Sequence, residues 1–380
     1  MNILIVNIGQ IVSPLRIERG SASPSLQIVA EKELSIRGER IATPGDGASG
    51  KTRSVIDAHG GVVIPGLIDP HRFVSLPGVQ RLVAPVGSAP VAHAQADLFE
   101  ANERILSRAL RAGVTTIELK SSHAPGLEAS LAVVQQLKRQ SDARVVPTLH
   151  ASLEDGQTDR NARLSSLIGH VIPAIRQKRQ AEFCEVHCGP GAYSLDEARM
   201  VLRAARGAGM KLKLQLDAAA PLEAEKLAYE LNVSAMVGVR SASAEIAMPP
   251  TLASVSRILL PGTREGHSMD SHALRALLDR GALVGLGTGS GCAQSGPASL
   301  WAVLGIAVAD LGLSLEEALI ACTLGNAAAL ERDDELGTLE PGALADLAIL
   351  DVSDYRELRH GLGENPVRTV ILGGRVVHGP

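Results

Sequence analysis

Aromatic residues are almost missing from this chain. Its 380 residues include one Trp, three Tyr and three Phe. Base-stacking platforms and aromatic ligand cages need several rings on one face, so both are excluded as its main purpose. A positive excess is missing as well. Thirty-seven Lys and Arg stand against 41 Asp and Glu, for a net charge of −4. Such a balance cannot neutralise many phosphates, so nucleic acid is not an expected partner. Cysteine is scarce: Cys184, Cys188, Cys292 and Cys322 make no disulfide framework in a chain of this length. Long apolar runs are also lacking, because Gly, Pro or charge breaks each one well before the ~20 residues of a membrane span. The opening MNILIVNIGQ has no basic stretch before its apolar run and is not read as a signal peptide. A reducing cytoplasm is the expected location, with no membrane partner.

What remains is globular. Hydrophobic residues make up 45% and charged residues 21%, which excludes wholesale disorder. The length suits two or three domains, or one large α/β barrel with an appendage. Up to about residue 64 the chain reads as short strands and turns. Ile3 to Val6 and Leu26 to Val29 are β-type, Lys51 to Val63 alternates as one strand-like run, and Thr43 to Gly50 is an exposed loop. From Gly66 the texture changes. Eight β-type runs follow: Gly66–Pro70, Val114–Leu119, Arg144–Leu149, Glu182–His187, Lys211–Leu216, Val233–Gly238, Arg257–Leu260 and Leu283–Thr288. Amphipathic helix patterns such as Leu195 to Arg206 and Leu222 to Glu230 separate them. Capping boxes open two helices, at Ser194 with Glu197 and at Ser314 with Glu317. Eight alternating units fit a (β/α)8 barrel better than an open doubly wound sheet. After Leu330, Ala345–Val352 and Val367–Val377 are β-type again, the latter with a Gly-Gly hairpin turn. The expected organisation is a barrel over 65–335, with 1–64 and 336–380 combining into one small β-sandwich.

Chemistry is expected at the C-terminal ends of the barrel strands. His71, His123, His150 and His187 fall at or just after the ends of strands 1 to 4. With Glu118, Glu185 or Cys188 they could form a metal site. Adjacent strand residues face opposite sides, so Cys188 beside His187 reads as structural. The stretch GLGTGSGCAQSG, 285 to 296, carries Thr288, Ser290, Cys292 and Ser295 and leads towards a helix near Pro297. Glycine-rich loops after strand 8 can bind anions in barrels. Lys120 and Asp217 are further ligand-binding candidates.

Several segments carry a family resemblance. VIDAHGGVVIPGLIDPH, 55 to 71, resembles the entry to the barrel in the amidohydrolase superfamily. The stretch from Leu336 to Val377, LGTLEPG onward, resembles the end of imidazolonepropionases. VTTIELKSS (114 to 122), FCEVHC (183 to 188) and YSLDEARMVLRAARGAGMKLKLQLD (193 to 217) are similar in spacing. The resemblance implies an amidohydrolase-type barrel and hydrolysis of a cyclic-amide C–N bond by metal-activated water. It implies metal ligands from two His on strand 1, one His on strand 5 and an Asp on strand 8, with another His on strand 6 beside the substrate. Carried over, only His71 is retained. Phe73 stands at the second His, Gln215 at the strand-5 His, Val237 at the strand-6 His and Gly289 at the Asp. Phe and Gly offer no donor atom, and Gln is a weak neutral ligand. His71 is therefore expected to be a relic, with no bound cofactor and the ancestral hydrolysis lost. Ligand binding is expected of Lys120, His123, His150, His187, Asp217, Thr288 and Ser290, with a small molecule in the barrel mouth as the partner. The family also implies association as a homodimer.

Overall fold

The computed structural model describes residues 2–16, 24–43, 53–75, 95–121, 127–153, 159–189, 191–217, 222–238, 255–263, 271–291 and 296–379. Eight strands run in order around one sheet: β1 (Leu67–Phe73), β2 (Val114–Lys120), β3 (Arg144–Ala151), β4 (Phe183–Cys188), β5 (Lys211–Leu216), β6 (Ala235–Val237), β7 (Ser256–Leu259) and β8 (Val284–Leu286). Each is parallel to the next. The eight β-type runs read from the sequence all lie on these strands, including the short seventh.

Backbone and side-chain bonds bring the first and last strands together. The Gly289 amide donates to the His71 carbonyl at 2.9 Å, and the Phe73 amide to the Ser290 carbonyl at 2.8 Å. Deeper in, the Asn326 amide group donates to the carbonyls of Ile68 (2.6 Å) and Leu286 (2.8 Å). One buried side chain thus holds β1 against β8.

Helices cover the outer face, among them α1 (Gln95–Arg111), α2 (Leu127–Gln140), α3 (Leu195–Gly207), α4 (Leu222–Glu230), α5 (Ser271–Asp279) and α6 (Leu300–Asp310). The apolar stripe of α3, Ala198, Val201, Leu202 and Ala205, packs in one core with Cys184, Val186 and Cys188 of β4. Both expected capping boxes are formed, at Ser194–Glu197 and Ser314–Glu317.

The two ends of the chain share a β-sandwich. One sheet has Arg40–Ile41, Leu34–Arg37, Asn2–Val6 and Arg53–Asp57. The other has Arg375–His378, Val367–Leu372, Leu347–Leu350, Val62–Pro65, Gln10–Pro14 and Leu26–Val29. Ile3, Ile5, Ile36, Val63, Leu347, Ile349 and Ile371 fill the space between them. The expected hairpin is present, turning at Gly373 and Gly374, whose φ angles of 53° and 70° suit glycine.

One sequence reading is corrected. The run from Lys51 to Val63 is not one strand. It divides into Arg53–Asp57 in one sheet and Val62–Pro65 in the other. His59 (φ 51°) and Gly60 (φ 77°) reverse the chain between them. Alternation continued across the turn and concealed it. The loop expected at 43–50 lies outside the described residues from position 44 onward.

Candidate functional site at the barrel mouth

Strand alternation turns every second residue towards the barrel axis. His71 and Phe73 come from β1, Glu118 and Lys120 from β2, and Thr148 and His150 from β3. Glu185 and His187 come from β4, Lys213 and Gln215 from β5, and Val237 from β6. These residues make a floor of paired charge beneath a rim of His, Phe and Gln.

The floor holds two lysines and two glutamates, all with fully buried side chains. Lys213 Nζ donates to Glu118 Oε2 at 2.8 Å, and Lys120 is ion-paired with Glu185. Lys120 Nζ also lies 3.7 Å from Glu118 Oε2, which joins the two pairs. The Thr148 hydroxyl donates to Glu118 Oε1 at 2.6 Å. Phe183 sits below, its ring centroid 4.8 Å from Lys213 Nζ. Burial pushes the Lys213 ammonium below its ordinary value, and Glu118 only partly offsets this. Burial would raise the Glu185 carboxyl, yet Lys120, His71 and His150 together hold it well below the usual carboxylate range.

The rim converges on one oxygen. Glu185 Oε1 is 3.1 Å from His150 Nδ1 and 3.3 Å from His71 Nε2. Phe73 stands edge-on to both imidazoles, with centroids 5.3 Å from His71 and 4.9 Å from His150 at 79° and 88°. Among the described residues, both His71 ring nitrogens and Gln215 Oε1 are buried with no hydrogen-bond partner, so the approach of His71 Nε2 to Glu185 is an ion-pair contact. Val237 packs with Ala235, Ile258 and Leu260 as plain apolar wall.

His187 stands apart from the other two imidazoles in its bonding. Its Nε2 is 2.6 Å from Asp217 Oδ1, and both side chains are partly open, at 20% and 25%. Gly189 makes room for this pair, since a Cβ there would lie 2.4 Å from Asp217 Oδ2. Cys188 points the other way, into the core behind β4, as alternation required. Burial pushes its thiol up to about 11.

Lys120 and Thr288 are engaged within the protein, whereas Ser290 borders a cavity beside α1. Lys120 is neither solvated nor open to a ligand, because its charge is spent on Glu185. Thr288 is fully buried and tied to Asp69, through its hydroxyl at 2.6 Å and its amide at 3.1 Å. Ser290 Oγ is 3.0 Å from Thr288 Oγ1. Gly289 has φ +61°, and a Cβ there would meet Thr263 Cγ2 at 2.7 Å. His123, Cys292 and Ser295 lie outside the described residues. Among the described residues, no group of three or more His, Cys, Asp or Glu is arranged to hold a metal ion.

Sequence reading missed Lys213, Thr148, Asp69 and Arg72. Lys213 was detectable, because it stands two residues before Gln215 on the same strand and must share its face. Asp69 and Arg72 were not, because their roles depend on β8 being adjacent.

Comparison with known proteins places the chain as a whole. Residues 87–378 match the profile of the amidohydrolase family. The imidazolonepropionase of Geobacillus kaustophilus is 32% identical over 349 positions, covering 85% of this chain and 82% of that protein. The imidazolonepropionase of Alkaliphilus oremlandii is 28% identical over 413 positions, covering 99% and 98%. Among solved structures, an amidohydrolase from a Sargasso Sea environmental sample superposes with a TM-score of 0.74 at 18% identity, covering 100% of this chain and 93% of that one. A triazine hydrolase variant gives 0.73 at 19%, covering 100% and 95%. These two likenesses concern the fold alone.

Proposed function

We propose, for a chain that belongs to the amidohydrolase family and is imidazolonepropionase-like, that the barrel has lost metal-dependent C–N hydrolysis and binds a small molecule at its mouth. Phe73 carries this reading. It brings an apolar ring, edge-on to His71 and His150, to the position where the resemblance calls for a second histidine. The donor set does not fit a zinc or iron ion. The His71 imidazole and the Gln215 carboxamide are left, where such sites use at least three protein donors. The lysine–glutamate floor supports the same reading, because it is already charge-balanced without a cation. In the proposed binding protein, residues 65–335 form the ligand-bearing unit. His187 and Asp217, the partly open polar pair, meet the ligand first, and His150 lies behind them. Cytoplasmic residence and homodimeric association belong to the same proposal. Among the described residues, no helix is long and apolar enough to cross a membrane.

The alternative is a metal site relocated onto His71, His123, His150 and His187. It has less support, because His187 is committed to Asp217 and Phe73 stands beside His71 and His150.

Elemental mass spectrometry tests the proposal. Protein is purified without added metal, then loaded with zinc, iron or manganese. Less than about a tenth of an equivalent in every case is expected, with no turnover of imidazolone propionate. Near-stoichiometric metal together with enzymatic hydrolysis would overturn it.

A further inference from the structure

We infer that the protein has a second ligand site, outside the barrel mouth, for a small organic oxyanion: a phosphate monoester or carboxylate with an apolar body. The site is a cavity of about 630 Å³ between α1, the end of β1, the segment after β8 and the start of α6. That volume lies in the ordinary range for small-molecule pockets. Arg72 stands between His71 and Phe73 where the pairing of β1 with β2 shifts register, and Phe73 borders this cavity, while His150, Glu185, His187 and Gln215 of the mouth are not among its lining residues.

The charge of the cavity is one-sided. Arg72, Arg104 and Arg108 line it, and among the described residues Asp69 is the one carboxylate in the lining. Asp69 is already engaged, accepting from the Thr288 amide, the Thr288 hydroxyl and Arg72 Nε. Arg72 is the built part of the site. Its side chain is only 7% exposed, and its Nε alone is bonded, to Asp69 Oδ2 at 3.1 Å. That bond fixes the plane of the guanidinium. Among the described residues, its two terminal nitrogens have no acceptor, and the group forms a wall of the cavity. Arg108 has no ion-pair partner among the described residues. Arg104 is one helical turn away on α1, with a loose 3.9 Å contact to Glu100. Planar guanidinium forks match the paired oxygens of carboxylate and phosphate better than they match a simple halide.

The rest of the lining sets the body of the ligand. Ala101, Ile105, Ala109 and Leu300 contribute apolar surface along the groove. A bare inorganic ion would leave that surface wet. An oxyanion with an aryl or alkyl body would cover it and place its charge among the arginines. This inference is independent of whether the barrel mouth retains any chemistry.

Isothermal titration of the full chain at low ionic strength tests it, with phenyl phosphate, phenylacetate and inorganic phosphate as probes against matched sodium chloride. At least one aryl oxyanion is expected to bind saturably at one per chain, more tightly than inorganic phosphate. Arg108→Met removes an exposed side chain with no packing role and is expected to weaken binding by about tenfold or more, as losing a charge-assisted hydrogen bond implies. Arg72→Met is expected to abolish it, with circular dichroism confirming the fold. Gln215→Ala, at the mouth and not among the residues lining this cavity, should leave it unchanged. Absence of saturable binding by either aryl probe would overturn the inference. So would binding that survives both Arg108→Met and Arg104→Met, since the anion would then sit elsewhere.

Discussion

Lys213 Nζ and Glu118 Oε2 lie 2.8 Å apart with both side chains fully shielded from water. Charges so placed stabilise little by themselves, but each is costly when its partner is removed. Lys213→Met should therefore destabilise by about 3–5 kcal/mol, because Glu118 stays buried without its closest cation. The double variant Lys213→Met with Glu118→Leu should cost much less than the sum of the single changes. Urea unfolding of the three variants measures this. Additive losses would mean that the two side chains do not share one buried environment.

The same pair shows how far the sequence could be read. The eight strands were legible because buried parallel strands are continuous apolar runs bounded by turn residues. Phe73, Gln215, Val237 and Gly289 are positions that only the family resemblance marks as replaced, and their loss of a metal belongs to the proposal. The use of Lys213 and Glu118 was not legible, since 95 positions separate them in the chain and only the barrel register brings them together. Arg72 was hidden for a related reason. Its partner Asp69 is near in sequence, but the cavity that both border needs α1 and the segment after β8. The turn at His59 was hidden because alternation on either side matched by chance.

Gly289 gives a prediction that bears on the proposed loss of a metal site. A carboxylate there needs a side chain at φ +61°, and its Cβ would lie 2.7 Å from Thr263 Cγ2. Gly289→Asp should therefore destabilise by about 1–3 kcal/mol, from the left-handed backbone and the contact together. Thr263→Ser removes the offending methyl and keeps the hydroxyl that donates to the Leu260 carbonyl at 2.8 Å. The double variant should recover part of the loss, read as the urea midpoint. A Gly289→Asp chain as stable as the parent would show that the loop relaxes freely.

Acid should act through Glu185. Burial opposes its ionisation, but Lys120, His71 and His150 prevail and hold its folded pKa well below the ordinary value. A lowered folded pKa makes a stabilising contribution that is complete above the unfolded value of about 4.3. The contribution is lost as pH falls from there towards the folded value. Thermal melts should drop steeply below pH about 4.5. Glu185→Gln should melt lower at neutral pH, where Lys120 loses its partner, and should lose less on acidification. Parallel acid limbs in the two proteins would assign the titration to other carboxylates.

Thiol chemistry checks the two faces of β4. Cys184 and Cys188 lie behind the strand, where burial pushes their thiols up to about 12 and about 11. Burial likewise raises Cys322, which is fully enclosed. The thiolate is the nucleophile, so almost none of the reactive form exists at pH 8, and access is closed besides. Iodoacetamide should leave all three unmodified in the native chain and label them only after denaturation, as read by peptide mapping. Rapid native labelling of Cys188 would mean that the thiol shares the open side with His187. A Cys–His nucleophile pair would then replace the His187–Asp217 pair as the reactive feature of that edge.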